Sequence, residues 1–417
     1  MSLALQLAEC IDRDWLIDTL SALVRIPSVT GGEDAAQDWM VKALEDLGGE
    51  IDAWRMDVEA LKGQPGFPGA RLLTSRQNVV ATFAGTGTGP TLVLNGHIDT
   101  VSAGDETRWA HPPFSAELVK GRLYGRGAAD MKGGLTAILG AVRAIRRARL
   151  SLRGAVEVQS VVGEEDGGLG AFAVLSRGHT GDAVIVCEPT ELAIVPAHAG
   201  VTLFRITVPG RAAHGCVRAE GVSALEKFLP IHTALKDLEA ERNRKLRHPL
   251  YEGMALPWPL SIGIVQAGIW PAIVPERLIA EGRIGVALGE RIEDVRGQVE
   301  EAVHRAAADD PWLVEHPPTV EWIGGVWQGT ETSPAHPLVR TLTQAVGETT
   351  GRTPSVRGAT YGSDLRLFTN DFGVPGVLFG PGDIRQAHFT DESIAIAEVE
   401  AAALALSVTI AEFCGVN

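Results

Sequence analysis

Residues 91–100 read Thr91-Leu92-Val93-Leu94-Asn95-Gly96-His97-Ile98-Asp99-Thr100. An apolar run ending in a histidine, with an aspartate two positions on, is the pattern of a buried strand that carries chemistry at its end. Successive strand side chains alternate faces, so His97 and Asp99 share one side. A metal-binding histidine needs its second ring nitrogen held by an acceptor, and a nearby carboxylate commonly does this. A strand-end histidine beside a turn aspartate has the same spelling, so the pair alone leaves both readings open.

Working outward, apolar runs predict strands at 78–84, 91–96, 155–161 and 183–187, with a helix at 132–148 between the second and third. Helical spacing also covers 11–27 and 33–48, on either side of the break Ile26-Pro27-Ser28-Val29-Thr30-Gly31-Gly32. Strands alternating with helices predict a mostly parallel α/β sheet with covered faces, whose pockets open at the carboxyl ends of its strands. The texture changes after Pro196. A strand at 201–208, a helix at 221–241, strands at 260–266 and 277–287, a helix at 291–307 and a strand at 318–323 spell a β-α-β-β-α-β unit. That order is ferredoxin-like α+β, inserted into the first domain. From about residue 335 the α/β character returns, with a helix at 336–350 and the strand Val374-Pro375-Gly376-Val377-Leu378-Phe379. The apolar stretch 394–411 is interrupted by Glu398 and Glu400, so it reads as a core helix and not a membrane span.

Four further segments carry candidate ligands. Asp130 lies in Gly125-Arg126-Gly127-Ala128-Ala129-Asp130-Met131-Lys132-Gly133-Gly134, where one carboxylate could bridge two cations or simply cap the next helix. Glu164-Glu165-Asp166 follows a strand among glycines. Three adjacent acids there are either solvated or neutralised by metal, and neighbouring side chains diverge enough for one to ligate and the other to act as base. Glu188 ends the run Ala183-Val184-Ile185-Val186-Cys187, where an unpaired carboxylate is costly. His388 sits in a loop before the last helix. Two histidines with several carboxylates suit zinc or a similar divalent ion.

Bulk properties agree. The chain has 417 residues, enough for two domains, with 45% hydrophobic and 21% charged residues. A net charge of −15 argues against nucleic acid or an anionic membrane as partner. Cys10, Cys187, Cys216 and Cys414 are scattered, as suits reduced thiols, and no basic segment followed by an apolar one opens the chain, so the expected location is the cytoplasm.

Taken together, Gly96-His97-Ile98-Asp99-Thr100, the Gly125–Gly134 segment, Gly163-Glu164-Glu165, Cys187-Glu188-Pro189-Thr190 and the segment ending in His388 resemble, in order, the motifs of a dinuclear-zinc deacylase and exopeptidase family. That family includes acetylornithine deacetylase, succinyl-diaminopimelate desuccinylase, aminoacylase and glutamate carboxypeptidase. The resemblance implies that His97 and Glu188 hold one zinc, that Glu165 and His388 hold the other, and that Asp130 bridges them. Cobalt or manganese are the alternative ions. It further implies Glu164 as general base, Asp99 as the residue orienting His97, and His214 as a histidine that steadies the oxyanion in a neighbouring subunit's site. The implied domains are a catalytic domain in two parts, 1–197 and 327–417, and a lid and dimerisation domain at 198–326 that makes a homodimer.

Substrate clues are weaker. Glu188, where aminopeptidases and dipeptidases of the family tend to carry aspartate, points to a small N-acyl amine, foremost an N-acyl amino acid. Arg283 resembles a lid arginine that binds a substrate carboxylate. Tyr361-Gly362-Ser363-Asp364-Leu365-Arg366 resembles a pocket-lining segment, with Gly362 in the wall and Arg366 as a second anion anchor. One departure stands out: relatives often carry Asn where this chain has Ala272. The acyl group or carboxylate is then held differently, and deformylation of an N-formyl aminopyrimidine becomes the second reading. A dipeptidase or carboxypeptidase, or a catalytically silent binding protein, completes the set.

Overall fold

The computed structural model describes residues 2–70 and 72–417. The chain divides into two compact units. The first comprises Met1–Ala197, Glu331–Arg357 and Ser363–Asn417, and the second His198–Thr330 with Gly358–Gly362.

The first unit is built on a mixed sheet. From one edge its strands run Glu50–Arg55, Gln77–Phe83, Val156–Val161, Leu92–His97, Ala183–Val186, Gly376–Leu378 and Ile194–His198. The centre is parallel: Leu92–His97 pairs in parallel with Val156–Val161 and with Ala183–Val186, which in turn pairs in parallel with Gly376–Leu378. Every residue of these four strands is buried, the expected state of parallel strands covered on both faces. Antiparallel partners flank this centre.

Register decides where the chemistry sits. His97 lies opposite Val161, and Asn95 opposite Val186. The three parallel strands therefore end at nearly the same level, and the loops carrying His97–Asp99, Glu164–Glu165 and Glu188 leave the sheet side by side. The helix Gly133–Arg147 packs against Ile396–Cys414 and is buried along most of its length. Its start presses onto the sheet at Gly134, where a Cβ would lie 2.1 Å from the Cys187 carbonyl oxygen, so only glycine permits the approach.

The second unit is a four-stranded antiparallel sheet in the order Leu260–Ala267, Arg277–Val286, Gly200–Pro209, Thr319–Trp327. The helices Ala224–Lys245 and Ile292–Ala308 complete the β-α-β-β-α-β order. In Gly200–Pro209, Phe204, Ile206 and Val208 point inward while Leu203, Arg205 and Thr207 are half-exposed. Those inward residues meet Phe228, Ile231 and Leu235 of one helix and Val295 and Val299 of the other in a separate core.

The predicted elements are present with ends shifted by a few residues. The strands Glu50–Arg55 and Ile194–His198, and the small sheet of Glu117–Val119, Arg122–Tyr124 and Ser393–Ala395, carry too little apolar alternation to be read in advance. No helix among the described residues is long and apolar enough to cross a membrane.

Candidate metal centre

His97 closes its strand with its ring buried. Its Nδ1 lies 2.9 Å from the Asp99 carbonyl oxygen, which can only accept, so the ring proton sits on Nδ1. The other nitrogen, Nε2, faces Asp130 Oδ1 at 3.1 Å. A ring held through Nδ1 in this way presents Nε2 to a metal.

Asp130 is not a helix cap. The helix begins at Gly133 behind Lys132, with no side-chain cap bond. The Asp130 carboxylate instead divides between two histidines, Oδ1 toward His97 and Oδ2 toward His388 Nε2 at 3.5 Å. His388 Nε2 also lies 3.0 Å from Glu165 Oε1. Potential ligand atoms of His97, Asp130 and Glu165 all fall within 4.8 Å of one another.

The acidic turn is buried and not solvated: Glu164 and Asp166 are each 8% exposed. Asp166 Oδ2 accepts the Leu72 N–H at 2.7 Å, which secures the turn from outside. Asp99 secures it from inside, accepting the Glu164 N–H on Oδ1 at 3.2 Å and the Glu165 N–H on Oδ2 at 3.3 Å. Asp99 therefore serves two places, its carbonyl orienting His97 and its carboxylate holding the Glu164–Glu165 backbone.

The charge balance calls for cations. Burial first, then the Asp130 charge, pushes Glu188 up to about 8 and raises Glu165. Burial and the Asp364 charge raise Glu164 well above the usual carboxylate range. Burial disfavours a charged His97, yet the Asp130 hydrogen bond and the charges of Asp99 and Glu188 outweigh it and raise the imidazole. Hydrogen bonds to Asp130 and Glu165 push His388 up to about 10. All these shifts express one excess of buried negative charge, which divalent ions would neutralise. The donor set fits such ions: imidazole nitrogens and carboxylate oxygens converge, one carboxylate is split between two histidines, and one imidazole has its second nitrogen fixed.

Three groups have surroundings that the sequence does not record, among them Arg366, which the sequence offers as an anion anchor. Asp364 is fully buried, its pKa raised to about 6 by burial against the opposing Arg366 charge, and it is the strongest charge acting on Glu164. Arg366 donates from Nη2 to the Gly167 carbonyl at 2.8 Å, so it lies buried against the acidic turn. Glu392, four residues past His388, accepts hydrogen bonds from Arg126 and from the backbone beside Asp130. An acid pair after the histidine, Asp391-Glu392, was the visible signal for this third group.

In the second unit, His214 Nδ1 accepts the Cys216 N–H at 3.2 Å, which leaves Nε2 to carry the proton. Gly215 N donates to the Ala272 carbonyl at 2.7 Å, so Ala272 serves this loop through its backbone. Arg283 is largely buried; its Nη2 donates to the Thr360 carbonyl at 3.0 Å, and its Nε has no hydrogen-bond partner. Gly362 lies against the Trp327 side chain, where an added Cβ would meet the Trp327 Cβ at 2.6 Å and the indole at 2.8 Å.

Comparison with known proteins follows the same lines. The profile of peptidase family M20/M25/M40 matches residues 93–412. N-formyl-4-amino-5-aminomethyl-2-methylpyrimidine deformylase of Bacillus subtilis (strain 168) is 29% identical over 390 residues, 88% of this chain and 86% of the relative. The protein of that name from Halalkalibacterium halodurans is 31% identical over 403 residues, 91% and 89% of the two chains. A "Probable succinyl-diaminopimelate desuccinylase" of Staphylococcus aureus (strain MSSA476) is 34% identical over 178 residues, 42% of this chain and 43% of the relative. Among solved structures, a di-peptidase of Saccharomyces cerevisiae has a TM-score of 0.81 at 16% identity, covering 99% of this chain and 98% of its own. A dinuclear metal binding peptidase of Bacillus subtilis has a TM-score of 0.59 at 18% identity, covering 96% and 98%.

Proposed function

The chain belongs to peptidase family M20/M25/M40, and on that premise we propose that it is a metal-dependent amide hydrolase that removes a formyl group from a small heteroaromatic amine. The observation that carries the reaction class is the split Asp130 carboxylate between His97 and His388, with Glu165 against His388 and Glu164 next to it on a turn held by Asp99. The substrate class follows the two relatives matched over most of their length, both named as deformylases of an aminopyrimidine.

In this reading His97 and Glu188 hold one ion, Glu165 and His388 the other, and Asp130 lies between them. Zinc suits these borderline nitrogen and oxygen donors best, with cobalt or manganese as substitutes. The bound ions supply Lewis acidity and acidify water in the site. Glu164 takes the proton of the attacking water and returns it to the departing amine nitrogen. His214, with its proton on Nε2, would donate to the oxyanion developing in a neighbouring subunit's site.

A second reading, hydrolysis of an N-acyl amino acid, is favoured by one observation. Arg283 is a largely buried guanidinium whose Nε has no hydrogen-bond partner, and such a group seeks a carboxylate. A homodimer through the second unit is supported by the edge strand Leu260–Ala267 and the turn after it. Ile264, Val265, Ile269 and Trp270 there are all exposed. Reduced, unpaired cysteines agree with a cytoplasmic location.

The deciding experiment measures amine release from an N-formyl aminopyrimidine, from N-formyl, N-acetyl and N-succinyl amino acids, and from dipeptides, with and without chelator. Chelator-sensitive release from the pyrimidine alone supports the first reading. Release confined to amino-acid amides supports the second, and release from dipeptides alone overturns both.

A further inference from the structure

The turn that presents Asp130 is held by more than its own backbone hydrogen bonds. Its N–H groups at Gly127, Ala129 and Asp130 all point to one spot, and the Glu392 carboxylate fills it. Oε1 accepts from Ala129 N at 2.9 Å and from Asp130 N at 3.1 Å. Oε2 accepts from Gly127 N at 3.1 Å and from Arg126 Nη1 at 2.6 Å. These bonds use the acceptor capacity of a carboxylate, so neither oxygen is left to ligate a cation. Two further contacts bind the same partners: Gly125 N donates to the Glu392 carbonyl at 2.8 Å, and Arg126 Nη2 reaches the His388 carbonyl at 3.4 Å. The Arg126 guanidinium also stacks on Trp109, 5.1 Å from the ring centroid. Glu392 and Arg126 are 0% and 3% exposed.

Asp130 lies in the turn Ala128–Lys132, where its own backbone angles are non-helical, and His388 lies in a turn far along the chain before the strand Ser393–Ala395. We propose that Glu392, with Arg126, is the positioning residue that locks the Asp130 loop to the His388 loop and so sets the spacing of the two-ion site. The inference rests on the dinuclear reading above. A bridging carboxylate displaced by even about 1 Å no longer serves two ions at once, so a second partner this well bonded acts on affinity and not only on folding.

The test is metal binding, not turnover. Wild type, Glu392→Gln and Glu392→Asp, stripped by chelator, are titrated with Co2+ by calorimetry and visible absorption, and the stripped proteins are melted in parallel. Glu392→Gln keeps the shape but sets an NH2 group against backbone N–H groups, so the weaker of two Co2+ affinities falls by about 10–100-fold. Glu392→Asp keeps the charge and falls less. A Gln variant that melts lower yet binds both ions as tightly as wild type overturns the proposal and leaves Glu392 a purely structural ion pair. So does an unchanged Co2+ spectrum with unchanged affinity. If Glu392→Gln does not fold, Arg126→Lys, which retains charge but loses the forked contact to Glu392 and His388, gives the same reading. A wild type that binds only one Co2+ refutes the dinuclear reading instead, and the wild-type titration reports that separately.

Discussion

His97 and Asp99 meet through the backbone: the His97 Nδ1–H donates to the Asp99 carbonyl oxygen at 2.9 Å, while the nearest Asp99 carboxylate oxygen is 3.6 Å from the ring. That carboxylate is committed to the N–H groups of Glu164 and Glu165 and to the Thr30 hydroxyl, which donates at 3.1 Å. Replacing the carboxylate therefore disturbs the acidic turn more than the histidine. In Asp99→Asn, one amide face opposes a backbone N–H, and kcat should fall by about 10–100-fold while His97 keeps its tautomer. Metal content by elemental analysis, set beside kcat, checks this: equal proportional losses of both would contradict it.

In the proposed arrangement Glu164 carries the proton and ligates neither ion. Glu164→Ala should lower kcat by about 10²–10⁴-fold with metal content and circular dichroism unchanged. A variant that loses its metal would place Glu164 among the ligands.

In the proposed arrangement Asp130 would be shared by both ions, so its loss should be felt at both. Asp130→Ala should abolish tight binding of the second ion and weaken the first, measured by chelator competition. Retention of two tightly held ions would remove the bridging assignment.

The exposed apolar edge Leu260–Ala267 is the proposed dimer contact. Val265→Lys and Ile264→Lys put charges on an unpaired strand edge and should raise the dimer dissociation constant by roughly tenfold or more, as read by analytical ultracentrifugation. A wild type that sediments as a monomer at all concentrations would remove the interface.

Away from the site, His179 sits between Glu157 at 3.2 Å and Asp52 at 3.0 Å. The hydrogen bond to Glu157 raises its pKa above 6.5, against the opposing effect of burial, and Asp52 adds to the rise. A group raised on folding stabilises fully below its unfolded pKa and loses that contribution as pH climbs through the folded value. His179→Gln should therefore lower the melting temperature more at about pH 5.5 than at about pH 8.5. An equal loss at both would assign the effect to packing against Trp54, whose ring is stacked 5.6 Å away.

Much of this candidate site could be read in advance because several of its residues end regular elements. His97, Glu164 and Glu188 each follow a buried run whose periodicity is local, and neighbouring parallel strands in register bring such ends together. The β-α-β-β-α-β order of the second unit was equally legible, because each element carries its own apolar pattern.

What escaped was polar and long-range. Arg126 and Glu392 are separated by 266 positions, and each alone looks like a surface charge. Asp364 gave no sign that it would be fully buried beside Glu164. Asp99 was read as a partner for the ring of His97, yet its carboxylate turned to the backbone of a loop 65 residues away. Periodicity encodes which face of an element is apolar, and motif spacing encodes which donors lie near each other along the chain. The sequence by itself thus determined the two architectures and the identity of the candidate ligands. Only the tertiary structure decided which buried carboxylates meet an ion and which meet backbone N–H groups, because that choice depends on loops whose distance in space no local pattern records.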